Sequence, residues 1–122
     1  MFEIRVEKTI ACAHRLFGYD GPCESLHGHN YRIEVAYTGT DLDEFGMLVD
    51  FTDVKREFNV VLDTLDHKFL NELPAFKDVS PSAENIAKHV FESLTSNEFD
   101  RAALMRVSVW ETPTQVATYF RS

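Results

Sequence analysis

Hydrophobic and polar residues alternate along two stretches in the first third of the chain. From Phe2 to Val6 apolar residues alternate with charged ones, and the same parity can be followed to His14. A second alternation begins at His27 and stops after Tyr37, where turn-forming residues follow. Side chains two residues apart share one face of a strand. The pattern therefore predicts two strands paired as an antiparallel hairpin.

After Asp50 the spacing between apolar residues becomes longer than two. Apolar residues then recur at spacings of three and four, which is typical of an amphipathic helix. A second helix is predicted to open at Ser80 and Pro81, because Ser suits an N-cap and Pro the first helical position. Two short strands, 105–111 and 115–120, close the chain. The predicted buried faces are Val54, Phe58, Val61, Leu62 and Leu65 in the first helix and Ile86, Ala87, Val90, Phe91 and Leu94 in the second.

This order, β-β-α-α-β-β with helices segregated from strands, predicts an α+β fold. We expect a single domain, 1–122, because 122 residues leave little room for two. A composition that is 44% hydrophobic and 12% aromatic supports a packed core. So short a chain exposes much of its surface, which makes a homo-oligomer plausible from size alone.

The net charge is −8, from 12 basic and 20 acidic residues. An acidic chain lacks the basic face that nucleic acids and anionic membranes require, so neither is expected as a partner. Its apolar stretches are too short to span a bilayer, and the N-terminus does not resemble a signal peptide. We therefore expect a soluble, cytoplasmic protein whose two cysteines, Cys12 and Cys23, are free thiols.

Three of the five histidines lie on the predicted hairpin at matching parity. His27 and His29 project to one face, and a partner strand can bring His14 opposite them. Three imidazoles suit Zn²⁺ and leave its fourth position open, as in catalytic sites. Cys23 strengthens this interpretation. It could be the fourth ligand of a closed structural site, or a nucleophile or base beside an open one.

Two acidic residues, Asp66 and Glu111, are further candidates for a catalytic or a substrate-binding role. Asp66 precedes His67 after the first helix, an order found both at ordinary helix ends and in proton relays where a carboxylate orients an imidazole. Glu111 ends an apolar strand beside Trp110. It is either a solvated strand-end carboxylate or the acceptor of two parallel hydrogen bonds from a guanidine-like edge, as in a pterin or guanine.

Six short blocks together resemble the 6-pyruvoyl-tetrahydropterin synthase / 6-carboxy-tetrahydropterin synthase family. They occur in the family's order and span nearly the whole chain, and the Cys-x-x-x-His-Gly-His block is the most specific. The blocks are Ala11–Leu16, Cys23–Tyr31, Gly46–Phe51, Leu65–His67, Pro81–Asn85 and Glu111–Thr112.

The resemblance implies a tunnelling fold, in which four-stranded antiparallel sheets with two helices join into barrels. Trimers form each barrel, and two trimers usually stack into a homohexamer. It further implies that His14, His27 and His29 hold zinc and that Cys23, Asp66 and His67 form the catalytic set. Glu111 would anchor the pterin ring, and Ser82 and Glu84 fall where the family has pterin-contacting Thr and Glu.

The implied substrate is 7,8-dihydroneopterin triphosphate. Zinc would act as a Lewis acid on its side-chain hydroxyls, and Cys23 would remove or return a proton. We place first the branch that forms 6-carboxy-5,6,7,8-tetrahydropterin, a queuosine precursor. Glu24 departs from many members of that branch; in a variant subgroup a Glu at this place substitutes for the Cys, and the product is 6-hydroxymethyl-dihydropterin for folate synthesis. This chain has both Cys23 and Glu24 and so resembles the subgroup proposed to serve folate as well as deazapurine synthesis. Glu24 could equally be an exposed loop acid.

Two further expectations concern how the substrate is held. Arg15 and Lys68, adjacent to motif histidines, are the candidates for binding the triphosphate. Because one small subunit can hardly enclose a pterin, Glu111 is expected to meet the zinc site of another chain. A non-enzymatic zinc module, with Cys23 as the fourth ligand, is the alternative to an enzyme.

Overall fold

A computed structural model describes residues 1–16, 27–95 and 99–122, with His27 described by its backbone alone. The elements occur in the order β-β-α-α-β-β, as the sequence predicts. They are β1 (Phe2–His14), β2 (His27–Gly39), α1 (Phe51–Asp63), α2 (Ala83–Leu94), β3 (Ala103–Thr112) and β4 (Gln115–Phe120), with short 3₁₀ turns at Leu70–Glu72 and Pro74–Phe76 between the helices.

The predicted hairpin is confirmed by the register of β1 and β2. They pair antiparallel along their whole length, with His14 opposite His27 and Cys12 opposite His29. Directly opposed residues share a face, and the buried His14 and Cys12 put this face of β1 under the helices. That face carries the buried positions Val6, Ile10, Cys12 and His14 of β1 and Tyr31, Ile33, Val35 and Tyr37 of β2.

The first helix begins where the period changes. Asp50 is its N-cap, and its carboxylate accepts a hydrogen bond from the Thr52 amide at 2.8 Å. The helix ends at Asp63, two residues before the last predicted face position, Leu65, which is nonetheless fully buried in the following turn.

The second helix begins later than predicted. Its N-cap is Ser82 rather than Ser80, because Ser82 Oγ accepts the Asn85 amide at 3.2 Å. Pro81 therefore lies before the helix, and its carbonyl is free to face the sheet. The predicted apolar face is confirmed, since Ile86, Ala87, Val90, Phe91 and Leu94 are all buried.

The four strands form one antiparallel sheet in the order β1-β2-β3-β4. The last pairing contains a β-bulge: Trp110 pairs with Val116 and Thr112 with Gln115, which leaves Glu111 as the extra residue. Such bulges often re-aim a side chain. The bulge lies at the end of the sheet that also holds the hairpin histidines.

The two faces of the sheet differ in chemistry. One packs against both helices to form the core, whose largest members include Tyr37, Phe58, Phe76, Leu62 and Leu104. The other is open and charged: Arg106 binds Glu34 at 2.9 Å, and Arg32 binds Glu7 at 3.1 Å. No helix within the described ranges is long and apolar enough to cross a membrane.

Candidate active site

His14 ends β1 and is completely buried. Its Nδ1 lies 2.7 Å from the carbonyl oxygen of Pro81. A carbonyl only accepts hydrogen bonds, so Nδ1 must carry the proton, and in the neutral imidazole Nε2 then keeps its lone pair. The late start of α2 thus gives His14 the orientation and tautomer that a metal-binding histidine needs.

His29 and Glu111 complete a compact cluster with His14. Glu111 Oε1 lies 3.6 Å from Nε2 of His14 and 3.6 Å from Nε2 of His29. One potential ligand atom from each residue lies within 4.8 Å of the other two. The three groups come from three neighbouring strands, which fixes their spacing through the sheet rather than through a loop.

This donor set fits a divalent transition metal. Imidazole nitrogens and a carboxylate oxygen are the ligands that zinc accepts. The predicted third histidine, His27, is opposite His14 in the register, and its side chain lies outside the described residues. The structure therefore shows a possible metal site in which Glu111 stands close to two of the predicted ligands.

Sequence reasoning expected Glu111 to reach the zinc site of another chain. The structure corrects this expectation, because Glu111 contacts His14 and His29 of its own chain. The physical reason is the sheet order: β3 lies beside β2, so the end of β3 comes to the histidine end of the hairpin.

Tyr31 is a site residue that the sequence analysis missed. Its hydroxyl oxygen lies 3.1 Å from each ring nitrogen of His14, and its ring packs edge-on against that histidine. The signal was present in the sequence, since Tyr31 shares its parity on β2 with His29. Fully buried, it fills the space between the histidine cluster and the apolar core.

Asp66 and His67 follow α1 and lie against the edge of β1. The Ala11 amide donates to Asp66 Oδ1 at 3.0 Å, and that oxygen lies 3.7 Å from His67 Nε2. His67 has a positive φ of 58° and a side chain that is 82% exposed. The carboxylate is thus fixed by backbone, and the imidazole beside it is accessible.

The other two predicted catalytic residues, Cys23 and Glu24, lie outside the described residues. The second cysteine, Cys12, is 6% exposed and opposite His29. Burial, with a smaller contribution from Asp66, raises the pKa of the Cys12 thiol from 9.0 to about 12. Cys12 is therefore a neutral thiol near pH 7 and a poor nucleophile.

Three clefts are lined in part by His29 or Glu111 of this cluster. One, of about 490 Å³, is lined by His29, His67 and Lys68. A second, of about 530 Å³, lies on the open face and is lined by Arg32, Trp110 and Glu111. A third, of about 150 Å³, lies between Glu84 and Glu111.

The two predicted pterin-contacting residues near the start of α2, Ser82 and Glu84, have different surroundings in the structure. Glu84 is exposed and shares the smallest cleft with Glu111. Ser82 is the N-cap of α2, and its hydroxyl is engaged by the Asn85 amide. The structure therefore brings Glu84 to Glu111 and gives Ser82 a structural contact.

Comparison with known proteins agrees with this geometry. The model of the family described as 6-pyruvoyl tetrahydropterin synthase matches residues 3–122. The chain is 33% identical to 6-carboxy-5,6,7,8-tetrahydropterin synthase of Haemophilus influenzae, over 98% of this chain and 99% of that protein. It is 36% identical to the protein of the same name in Synechocystis sp., over 98% of this chain and 94% of that one.

Solved structures of 6-pyruvoyl tetrahydropterin synthases have the same fold as this chain. The Caenorhabditis elegans 6-pyruvoyl tetrahydropterin synthase superposes with a TM-score of 0.89 at 32% identity, covering 99% of this chain and 96% of that one. A Plasmodium vivax 6-pyruvoyltetrahydropterin synthase, at 24% identity and a TM-score of 0.79, shares the fold. With the family match spanning almost the whole length, the chain belongs to the 6-pyruvoyl tetrahydropterin synthase family of pterin-converting lyases.

Proposed function

We propose that this enzyme converts 7,8-dihydroneopterin triphosphate and one water molecule to 6-carboxy-5,6,7,8-tetrahydropterin, triphosphate and acetaldehyde. The observation that carries the proposal is the convergence of His14, His29 and Glu111, two of which, His29 and Glu111, line clefts. The relatives from Haemophilus influenzae and Synechocystis, named for the carboxy product, match 98% of this chain. Those similarities favour the carboxy branch.

The metal in this proposal is zinc, held by His14, His27 and His29. The Pro81 carbonyl supports this assignment, because it orients the His14 ring and, by accepting the Nδ1 proton, puts the lone pair of the neutral imidazole on Nε2. Bound zinc would supply Lewis acidity toward the hydroxyls of the substrate side chain. Glu111 then faces the substrate rather than the ion.

Glu111 and Glu84 bind the pterin ring. The ring presents parallel N–H donors on its guanidine-like edge, and a carboxylate accepts two such hydrogen bonds side by side. Both residues line one small cleft next to the histidine cluster. Fixing the ring there makes proton transfer at the side chain an intramolecular event.

Proton transfer falls to His67, Asp66 and Cys23. Asp66 is held by the Ala11 amide, and its carboxylate orients His67 at 3.7 Å. His67 is exposed toward the cleft that it shares with His29, where it can exchange a proton with a neighbouring thiol. Cys23 is that thiol in our proposal, acting as the base on the substrate C–H.

Formation of 6-hydroxymethyl-7,8-dihydropterin is the second candidate function, and 6-pyruvoyl-tetrahydropterin is a third product of the same substrate. The hydroxymethyl branch is favoured by one feature of the sequence, the acidic Glu24 directly after Cys23. In that branch the carboxylate of Glu24 takes the proton that Cys23 takes in the other.

Assembly into a homohexamer belongs to the same proposal. Within the described part of the chain, β4 and the first half of β1 each leave one edge of the sheet unpaired. Unpaired edges are templates for strands of other copies. Joining them would place the charged face inside a barrel, in a cytoplasmic enzyme of deazapurine precursor synthesis.

Product identification separates these functions. The zinc-loaded protein is incubated with 7,8-dihydroneopterin triphosphate, and the pterin products are identified by mass. Wild type and Glu24→Ala are expected to give the carboxy product, and Cys23→Ala to lose it. Loss of a hydroxymethyl product in Glu24→Ala alone would instead assign the enzyme to the folate branch.

The non-enzymatic alternative has its own test. A structural site with Cys23 as the fourth ligand protects that thiol until zinc leaves. We expect Cys23 to react with an alkylating agent while zinc is retained, as measured by intact mass and metal analysis. Protection of Cys23 in the zinc-bound protein would favour the closed site.

A further inference from the structure

The three clefts around the site differ in charge. Two of them contain carboxylates, Glu111 in one and both Glu84 and Glu111 in the other. The cleft beside His29 has no Asp or Glu among the described residues that line it, although the whole chain carries −8. Its polar groups include His67, Lys68 and Asn30. An anion entering this site meets the least repulsion there.

Lys68 is held at this cleft by its backbone. The Ala13 amide donates to the Lys68 carbonyl at 2.9 Å, and the His67 amide donates to the Ala11 carbonyl at 2.6 Å. These bonds fasten the segment to the edge of β1, so the position of Lys68 does not depend on its side chain. That side chain is exposed and forms no ion pair with any described carboxylate.

The carboxylate of Asp66, next to His67 in the sequence, is already engaged. Asp66 Oδ1 accepts the Ala11 amide and lies beside His67. It therefore orients an imidazole rather than neutralising the lysine. Gly28, which also lines the cleft, leaves room: a methyl group added there would meet no atom closer than the Cys12 carbonyl at 4.0 Å.

The other cations near the site are less suitable. Arg32 lines the neighbouring cleft, where Glu7 binds it at 3.1 Å and Trp110 stacks on it at 3.8 Å. Arg15, the second candidate from the sequence, is not among the described residues that line the cleft of Lys68. Its amide and carbonyl are both bound by Asn71 at 2.7 Å.

We infer that the cleft of His67 and Lys68 is the subsite for the triphosphate of the substrate, with Lys68 as its principal cation. The inference rests on the proposed function for the identity of the substrate. It also sets the direction in which the substrate lies. The pterin ring points to Glu84 and Glu111, the triphosphate points to Lys68, and the reacting side chain passes the histidine cluster between them.

Binding of inorganic triphosphate tests this assignment without requiring turnover. The zinc-loaded protein is titrated calorimetrically with magnesium triphosphate, and metal content is measured before and after to show that zinc is retained. Loss of one charged hydrogen-bond donor is expected to weaken binding by about 10-fold or more in Lys68→Ala. Lys68→Arg should recover most of the affinity.

Matched variants make the test specific. Arg15→Ala and the exposed Lys77→Ala are expected to bind triphosphate as wild type does. Unphosphorylated 7,8-dihydroneopterin is expected to bind Lys68→Ala and wild type equally, because the ring contacts are unchanged. Wild-type triphosphate affinity in Lys68→Ala, or an equal loss in Arg15→Ala, would overturn the inference. If Lys68→Ala weakens triphosphate binding in a protein that converts no pterin, the subsite stands and the proposed function fails.

Discussion

At the scale of single residues, the site depends on contacts that no local pattern encodes. The identities and shared face of His14 and His29 could be predicted from strand parity alone. The Pro81 carbonyl that orients His14 could not, because it is a backbone group 67 residues away. The closeness of Glu111 likewise depends on which strand neighbours which, a property of the whole sheet.

The role of Glu111 is open to a direct test at this scale. In our proposal it binds the pterin, although its carboxylate lies 3.6 Å from two candidate ligands. We expect Glu111→Gln to keep zinc and lose affinity for the pterin. His29→Ala should lower zinc affinity by more than about 100-fold, because even the loss of an outer hydrogen-bond partner costs 10- to 100-fold. Zinc content after dialysis against a weak chelator distinguishes the two variants, and zinc loss in Glu111→Gln would make Glu111 a ligand.

Cys12 and Cys23 are expected to differ in reactivity. Burial raises the pKa of Cys12 from 9.0 to about 12, so its thiolate is scarce at pH 8. N-Ethylmaleimide should label Cys12 in denaturant but not in the folded protein, as peptide mass mapping would show. The raised pKa also favours the folded state below pH 9, a contribution that is lost as pH rises toward 12 and that Cys12→Ala removes. Rapid labelling of Cys12 in the native state would contradict the assigned burial.

At the scale of elements, the sequence predicted the order and type of the two α-helices and four strands that the structure describes, but neither all their ends nor the two 3₁₀ turns between the helices. Two serines lie near the start of α2, and only tertiary contact decides that Ser82 rather than Ser80 becomes the N-cap. The bulge at Glu111 could not be predicted from the sequence either, because it arises from the register in which β3 pairs with β4. Both irregularities occur at the site.

The turn between the helices is expected to stabilise the metal site through Asn71. Its side chain binds both the amide and the carbonyl of Arg15 at 2.7 Å, directly after the proposed ligand His14. Asn71→Ala should lower the free energy of unfolding by about 1–3 kcal/mol and weaken zinc binding by about 10-fold.

Asn59→Ala is the matched control for that variant. It removes a hydrogen bond at 3.1 Å to Lys8, on a different part of β1. Thermal denaturation and competitive zinc titration should show a small loss of stability and unchanged zinc affinity for this control. Equal zinc affinities in Asn71→Ala and wild type would show that the turn does not position His14.

At the scale of the whole molecule, the short chain length bears on assembly, and the acidic net charge bears on how an anionic substrate is bound. A chain of 122 residues with an open, charged sheet face and unpaired strand edges is suited to completion by copies of itself. Its acidic balance is compatible with an anionic substrate because carboxylates are absent from the described lining of one cleft. The net charge of −8 predicts that nucleic acid is not a partner, but it does not reveal this local distribution.

Assembly through β4 predicts the effect of a charge on its exposed side chains. Phe120 is opposite Arg106 in the register and is 64% exposed in the single chain. If the proposed hexamer assembles through β4, Phe120→Asp should give smaller species by light scattering, while the circular dichroism spectrum stays unchanged. Lys77→Asp, on the helical side, should keep the wild-type mass. An unchanged mass for Phe120→Asp would argue against assembly through this strand.

The most direct test of the account is turnover at the histidine cluster. Zinc-loaded wild type and His29→Ala are each given 7,8-dihydroneopterin triphosphate, and the pterin product and released triphosphate are measured over time. We predict 6-carboxy-5,6,7,8-tetrahydropterin and triphosphate in equal amounts from wild type, and neither above background from His29→Ala. Failure of the zinc-loaded wild type to consume the pterin, or equal turnover by His29→Ala, would contradict the account.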